Sequence, residues 1–289
     1  MSKIAVIGLG RIGGALAANL VADGHEVLGY RRGSMHELVA IGGRPAASVV
    51  EVARESDVVF TCLPTVSALE EVSAGLAMGA RRPLVVVELS TFGLTAKHNA
   101  HDRLAAAGME MLDAPVSGTP AMVRDRRGVV MASGHPAAFA RVQGLLEALG
   151  SARFVGAFGT GSKLKYVANT LIAIHNAAAA EAVALAQATE LDPGLVLDVL
   201  GASAAGSSML QARGGLMARG DGFRPAGGSV TMLRKDLESI KEVCAQVGAR
   251  TPMLDAAASL YDEADRNGLG EDDIAVLVTL LGPTNVCEP

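Results

Sequence analysis

The stretch GTGSKLKYVAN, Gly159 to Asn169, places two lysines at the start of a long alanine-rich segment. Lys165 and Asn169 are four residues apart, so on a helix they share a face, which Ile172 and Asn176 continue. Lys163 points about 200° away around such a helix, because each residue turns it by roughly 100°. It cannot serve the same face. An ammonium in a site can protonate a carbonyl oxygen or accept the proton of an alcohol. Burial and a neighbouring cation, for example Lys235, both lower its pKa toward the working range. An adjacent amide can fix the reacting oxygen and the lysine together. Taken alone, a first-turn lysine is an ordinary solvated residue, although a helix start does not favour cations.

Other residue types with chemical capacity are less persuasive. His98 and His101 form H-x-x-H without a third ligand at a recognisable spacing, so they read as solvated helix histidines. His175 lies beside Asn176 and reads as a packed, hydrogen-bonded residue with a secondary role in a substrate pocket as the alternative. Ser117 has no G-x-S-x-G elbow around it and is not a hydrolase nucleophile. Cys62, Cys244 and Cys287 fit neither a disulfide framework nor a zinc site, which points to a reducing compartment. Cys62 reads as a small buried hydrophobe, and Met131, Met209, Met217 and Met232 as packing residues.

The opening of the chain carries a stronger pattern. IAVIGLGRIGGALAANL puts Gly8, Gly10 and Gly13 in G-x-G-x-x-G spacing between a strand and a helix, with Leu9, Arg11 and Ile12 completing the loop. Gly8 permits the turn, Gly10 lets the backbone approach a pyrophosphate, and Gly13 lets helix and strand pack closely. The helix start then offers N–H groups to phosphate. The second strand ends in VLGYRRGS, with Arg31 and Arg32 where an NAD site usually has an acid for the ribose 2′-hydroxyl. Two guanidiniums there suit a 2′-phosphate. The expected cofactor is NADP, with NADPH preferred over NADH.

Two different rhythms position these residues. Up to about residue 155, the β-branched runs IAVIG, EVLGY, DVVFTCL, LVVVELS, MEMLDAP, GVVMASG and ARFVG alternate with amphipathic stretches such as RIGGALAANLVADG and SALEEVSAGLAMG. That alternation predicts βαβ units and a mostly parallel sheet. Beyond residue 160 the strand runs stop, and SKLKYVANTLIAIHNAAAAEAVALAQATEL holds no proline or internal glycine. It predicts one long helix, apolar nearly all round, buried on several sides and joining the two halves. Its Asn, His, Glu and Gln residues argue against a membrane span. Further helices are expected over Pro193–Leu200, Ser229–Val247, Pro252–Asn267 and Glu271–Leu280, with Asp192-Pro193 and Thr251-Pro252 as helix starts. The fold class is therefore α/β: an N-terminal Rossmann-like doubly wound domain over residues 1–159, then an all-α domain over 160–289 opened by a long helix. The second would carry substrate binding and assembly as a homodimer or homotetramer.

Composition sets the outer limits. The 289 residues are 50% hydrophobic with a net charge of −5, which argues against a nucleic-acid partner. Aromatics make up 3% with no Trp, so stacking platforms are scarce and a small aliphatic substrate fits better. No cleavable leader pattern follows Met1, and a cytoplasmic protein without a membrane partner is expected.

Over essentially its whole length the chain resembles the β-hydroxyacid dehydrogenase family. Four separated motifs carry the resemblance. GLGRIGGALAANLVADGHEV is similar to the family's opening, with Asn19, Gly24 and His25 in place. DAPVSG, Asp113 to Gly118, implies that Ser117 and Gly118 hold a substrate carboxylate, with Thr119 beside them. G-x-G-x-x-x-K-x-x-x-N is matched by Gly159, Gly161, Lys165 and Asn169, and the resemblance puts the catalytic lysine on Lys165. RKDLESI places the family's Lys-Asp pair on Lys235 and Asp236, the lysine by the nicotinamide and substrate. CLPTV and ELST resemble cofactor-lining segments, which implies Leu63, Pro64 and Thr91. The chain departs from the family in reading SGTP, with Thr119 and Pro120, where SGG is common. That departure implies a carboxylate pocket shaped for a different or larger acid.

The combined expectation is an NADP-dependent oxidoreductase acting on a short β-hydroxyacid or its semialdehyde, a small carboxylic acid. Two alternatives stand beside it. One is an imine reductase-like enzyme, although such relatives usually lack the lysine. The other is a catalytically inactive NADP-binding sensor or interaction protein.

Overall fold

The computed structural model describes residues 3–282 apart from Ala80 and Arg82; Cys287 lies outside the described residues. The chain divides into two compact units, Met1–Lys165 and Tyr166–Pro289.

In the first unit, short apolar runs form β1 (Ile4–Ile7), β2 (Val27–Tyr30), β3 (Arg44–Pro45), β4 (Val58–Thr61), β5 (Val85–Glu88) and β6 (Glu110–Asp113). All pair in parallel, in the order β3-β2-β1-β4-β5-β6. The interleaved helices are α1 (Arg11–Ala22), α2 (His36–Ala40), α3 (Val49–Glu55), α4 (Val66–Gly79) and α5 (Leu94–Ala106). Strands buried on both faces need helices on both faces, and two apolar layers supply this. Leu16 and Leu20 of α1 pack on one side with Val6, Phe60 and Val87. Leu69, Leu76 and Leu104 of α4 and α5 pack on the other with Ile7, Val59 and Val86.

The expected run of strands does not stay in one sheet. Pro115 offers no ladder N–H, so MEMLDAP ends at Asp113 and the chain restarts as β7 (Val116–Ser117). After α6 (Pro120–Arg124), β7 pairs antiparallel with β8 (Gly128–Ala132). After α7 (Pro136–Leu146), β9 (Gly150–Phe154) pairs parallel with β8, which gives a separate three-stranded sheet.

The alanine-rich stretch is a single helix, α8 (Thr160–Ala188), of 29 residues. It is followed by α9 (Pro193–Gly201), α10 (Ser208–Arg219), α11 (Val230–Val247) and α12 (Pro252–Arg266). Asp192 caps α9 by accepting from the Leu195 N–H at 2.7 Å, with Pro193 at the first position. Thr251 precedes Pro252 without a side-chain cap. The expected α-helix over Glu271–Leu280 is a 3-10 helix, Ile274–Leu280, started by Asp273. The Val276 N–H bonds Asp273 O at 2.8 Å, three residues back rather than four. Sequence periodicity also missed α10, whose Gly214-Gly215 pair weakens the helical pattern.

One side of α8 is core: Ala173, Asn176, Ala180 and Val183 are buried. The other is not, since Leu164, Val167, Leu171 and Leu185 are exposed. Despite its polar interruptions, α8 is long and apolar enough to cross a membrane by length and composition alone.

Candidate functional site

The glycine loop sits where the strand order reverses, at the ends of β1 and β4, the position at which open α/β sheets bind ligands. Gly8 has φ +91°, and a Cβ on it would lie 2.1 Å from Cys62 O. A Cβ on Gly13 would lie 2.0 Å from Gly8 O, so α1 and the turn touch backbone to backbone. Gly10 differs, because a Cβ there meets nothing within 4 Å. The loop is thus tight behind and open in front, and Gly10 starts α1 with no capping side chain. This cradle fits a dinucleotide pyrophosphate. Leu9 is buried under it, whereas Arg11 is exposed and Ile12 partly so.

Tyr30 closes β2, and no acid follows it at once. Arg31 Nη1 donates to Leu9 O at 3.2 Å, which folds the guanidinium back over the glycine loop, and Glu37 Oε2 lies 3.9 Å away. Arg32 is exposed. On the neighbouring strand ends, the buried Leu63 donates its N–H to Ser90 Oγ at 2.7 Å; Pro64 is exposed and Thr91 half-buried. Cys62 is half-buried rather than buried, and its carbonyl backs directly onto Gly8. Asn19 of the opening motif is structural: its amide donates to Val123 O and Ala148 O, both at 2.8 Å.

The SGTP departure has a local cause. Thr119 is the N-cap of α6, its Oγ1 accepting the Met122 N–H at 3.3 Å, and Pro120 takes the first helical position. The capping bond takes one acceptor position of the Thr119 hydroxyl and leaves its O–H donor for another partner. Ser117 and Gly118 stand half-buried at the end of β7, Gly118 with φ +156°.

On α8 the two lysines separate as the helical geometry requires. Lys163 is exposed, while Lys165 is only 9% exposed and Asn169 only 3%. Asn169 Nδ2 donates to Asp236 Oδ2 at 2.8 Å, and Lys235 Nζ lies 3.4 Å from Asp236 Oδ1. The helical unit therefore brings Asn169, Lys235 and Asp236 together across α8 and α11. This leaves the Asn169 amide oxygen oriented as an acceptor.

Several expectations are corrected. His175 is exposed, not packed, and lines an open cleft of about 690 Å³ with Gln211, Ser203 and Ser207. Met232 is 55% exposed, so it is not a packing residue, whereas Met217 is fully buried. His98 and His101 both lie against Phe158, their ring centroids 5.3 and 4.4 Å away. No group of three metal-ligating side chains occurs among the described residues.

A buried ionic cluster escaped the sequence reading. Lys97 of α5 lies 2.7 Å from Glu88 Oε2 and 2.6 Å from Asp113 Oδ1, with all three side chains fully buried. Burial opposes the ammonium, but the two carboxylates outweigh it and push the Lys97 pKa up. Removing one partner leaves charge uncompensated in the core. Lys97→Met is therefore expected to cost about 3–5 kcal/mol, seen as a lower thermal unfolding midpoint.

The parallel sheet in this order, with a pyrophosphate cradle at its switch point, defines a dinucleotide-binding Rossmann protein carrying an all-α unit. A family model described as the NAD binding domain of 6-phosphogluconate dehydrogenase matches residues 3–159. A second, described as NAD-binding of NADP-dependent 3-hydroxyisobutyrate dehydrogenase, matches residues 159–281. The chain is 33% identical to L-threonate dehydrogenase of Cupriavidus necator, over 95% of each chain. It is 30% identical to NAD-dependent L-serine dehydrogenase of Pseudomonas aeruginosa, over 98% of this chain and 99% of that one. Among solved structures, Mycobacterium tuberculosis 3-hydroxyisobutyrate dehydrogenase with L-serine superposes with a TM-score of 0.88 at 28% identity, covering 97% of this chain and 99% of that one. A Streptomyces aurantiacus imine reductase, at 24% identity and a TM-score of 0.62 over 97% of this chain and all of that one, shares the fold. The chain belongs to the β-hydroxyacid dehydrogenase family, NAD(P)-dependent enzymes acting on the hydroxyl group of small hydroxy acids.

Proposed function

We propose that this protein is an NADPH-preferring dehydrogenase of a short β-hydroxyacid, or reductase of its semialdehyde, with Lys165 as general acid/base. The observation that carries this reading is the contrast on α8: Lys165 and Asn169 are buried on one face while Lys163 is in solvent. When bound, the nicotinamide supplies or accepts the hydride. Lys165 gives a proton to the carbonyl oxygen in reduction, or takes the hydroxyl proton in oxidation. Asn169, held by Asp236, orients that oxygen. Ser117 and Gly118 bind the carboxylate, and Lys235 lies by the nicotinamide and substrate.

In the cofactor site, Gly8, Leu9, Gly10, Arg11, Ile12 and Gly13 cradle the pyrophosphate. Leu63, Pro64 and Thr91 line the dinucleotide, and Arg31 with Arg32 takes the 2′-phosphate. Residues 1–159 act as the dinucleotide-binding domain and 160–289 as the substrate and assembly domain, in a cytoplasmic protein. The test is an oxidation screen with NADP and a panel of hydroxyisobutyrate, glycerate, threonate and serine. Turnover of at least one acid is expected. Reduction of cyclic imines without any acid turnover would point to an imine reductase, and tight NADPH binding with no turnover at all to a sensor.

Assembly as a homodimer or homotetramer is supported by the exposed apolar side of α8, Leu164, Val167, Leu171 and Leu185. Each such side chain, already about half buried, contributes on the order of 1 kcal/mol when covered. Leu171→Glu with Leu185→Glu is therefore expected to convert the oligomer to monomer in analytical ultracentrifugation.

A further inference from the structure

We propose that the buried Glu88–Lys97–Asp113 cluster is a positioning device for the reaction: Asp113 grips the first turn of α8 and thereby sets where Lys165 stands. The proposal rests on the reading of Lys165 as the acid/base and assigns a role to three charges that the reading does not use. Asp113 Oδ2 accepts the Ser162 N–H at 2.7 Å, and Asp113 Oδ1 accepts the Ser162 hydroxyl at 2.8 Å. Ser133 adds a second grip, its Oγ accepting the Gly161 N–H at 3.0 Å while its hydroxyl lies against Asp113. A Cβ on Gly161 would stand 2.2 Å from Met131 O and 2.8 Å from Asp113 O, so only glycine lets the turn come this close. Ser162 and Lys165 are three residues apart, one helical turn, so a slip of the gripped turn is carried directly to Lys165.

The cluster also reaches the cofactor-lining segments. Glu88 Oε1 accepts the Ser90 N–H at 2.9 Å, and Ser90 Oγ accepts the Leu63 N–H at 2.7 Å. One set of buried charges thus holds both the loop at the ends of β4 and β5 and the start of α8. Packing alone does not account for it, because apolar side chains of the same volume would fill the space without desolvating three ions. Two carboxylates face one ammonium, and the positive end of the α8 dipole faces the excess negative charge at Asp113. Lys97 cannot itself exchange protons with substrate, being fully buried and held as an ammonium by its two acids.

The test compares Ser162→Ala, Ser162→Thr and Asp113→Asn with Lys165→Ala. Misplacement of the reacting lysine predicts a fall in kcat of roughly tenfold to hundredfold in Ser162→Ala. KM and the NADPH Kd should stay within about twofold, as for an interaction made in the transition state. Ser162→Thr, which keeps the hydroxyl, should restore most of the rate. Amide hydrogen exchange over residues 161–165 should quicken in Ser162→Ala and Asp113→Asn, a readout that needs no turnover. Should Asp113→Asn fail to fold, Ser162→Ala decides alone. Unchanged kcat and exchange in Ser162→Ala, or a joint loss of kcat, cofactor affinity and thermal stability, overturns the positioning role. If Lys165→Ala retains full turnover, the acid/base reading itself falls and the proposal with it. An inactive Lys165→Ala beside an unimpaired Ser162→Ala refutes the positioning role only.

Discussion

Lys165→Ala is expected to bind NADPH normally and to lose nearly all turnover, with kcat lower by about a hundredfold to ten-thousandfold, the range of a positioned acid/base. The effect is large because the residue is buried. At 9% exposure, Lys165 gives water little room to replace its proton transfer. Lys163→Ala, two residues away in solvent, should leave kcat unchanged and serves as the matched control. Calorimetric titration with NADPH separates loss of chemistry from loss of binding, because the glycine cradle is built from β1, α1 and β4, without α8. Near-normal turnover in Lys165→Ala would remove the proposed mechanism.

Replacing Arg31 and Arg32 together by alanine is expected to weaken NADPH by about a hundredfold or more. Each charge-assisted hydrogen bond to a phosphate contributes roughly 1.5–3 kcal/mol, and about 1.4 kcal/mol is tenfold in affinity. NADH, which has no 2′-phosphate, should change little. The preference ratio, measured by titrating both cofactors into intact and variant protein, should therefore collapse toward one. The bond from Arg31 to Leu9 O couples the selectivity position to the cradle, so the single Arg31 variant should show the larger share of the loss. Equal affinity of the intact protein for NADPH and NADH would contradict this assignment.

What the sequence disclosed follows from how locally each feature is encoded. The cradle, the long helix and the separation of Lys163 from Lys165 depend on spacing within a few residues, so they were legible. So was the capping of α9 by Asp192 ahead of Pro193. Features that depend on partners far along the chain were not. Nothing near Pro115 announces that the strands after it join a second sheet, since the pairing of Val116 with Val130 is a long-range choice. Thr119-Pro120 is also a helix start, which the comparison with the SGG pattern did not disclose.

The ionic cluster joins residues from β5, α5 and β6, so no single motif holds it. A signal for it was nonetheless present. Lys97 shares a helical stripe with the buried Ala100 and Leu104, Glu88 ends the otherwise apolar strand VVVE, and Asp113 follows the buried Met111 and Leu112. An ionisable residue on a core-facing stripe, with acids at nearby strand ends, is the pattern that would have found it.

The central claim is that one buried lysine moves the hydroxyl proton, and chemical rescue tests it most directly. Lys165→Ala should be assayed with a turned-over β-hydroxyacid and NADP in the presence of methylamine, ethylamine and weaker bases. The account predicts that the rate returns in proportion to free amine and rises with amine basicity, as general base catalysis requires. A residual rate that stays flat across amine concentration and basicity would contradict it.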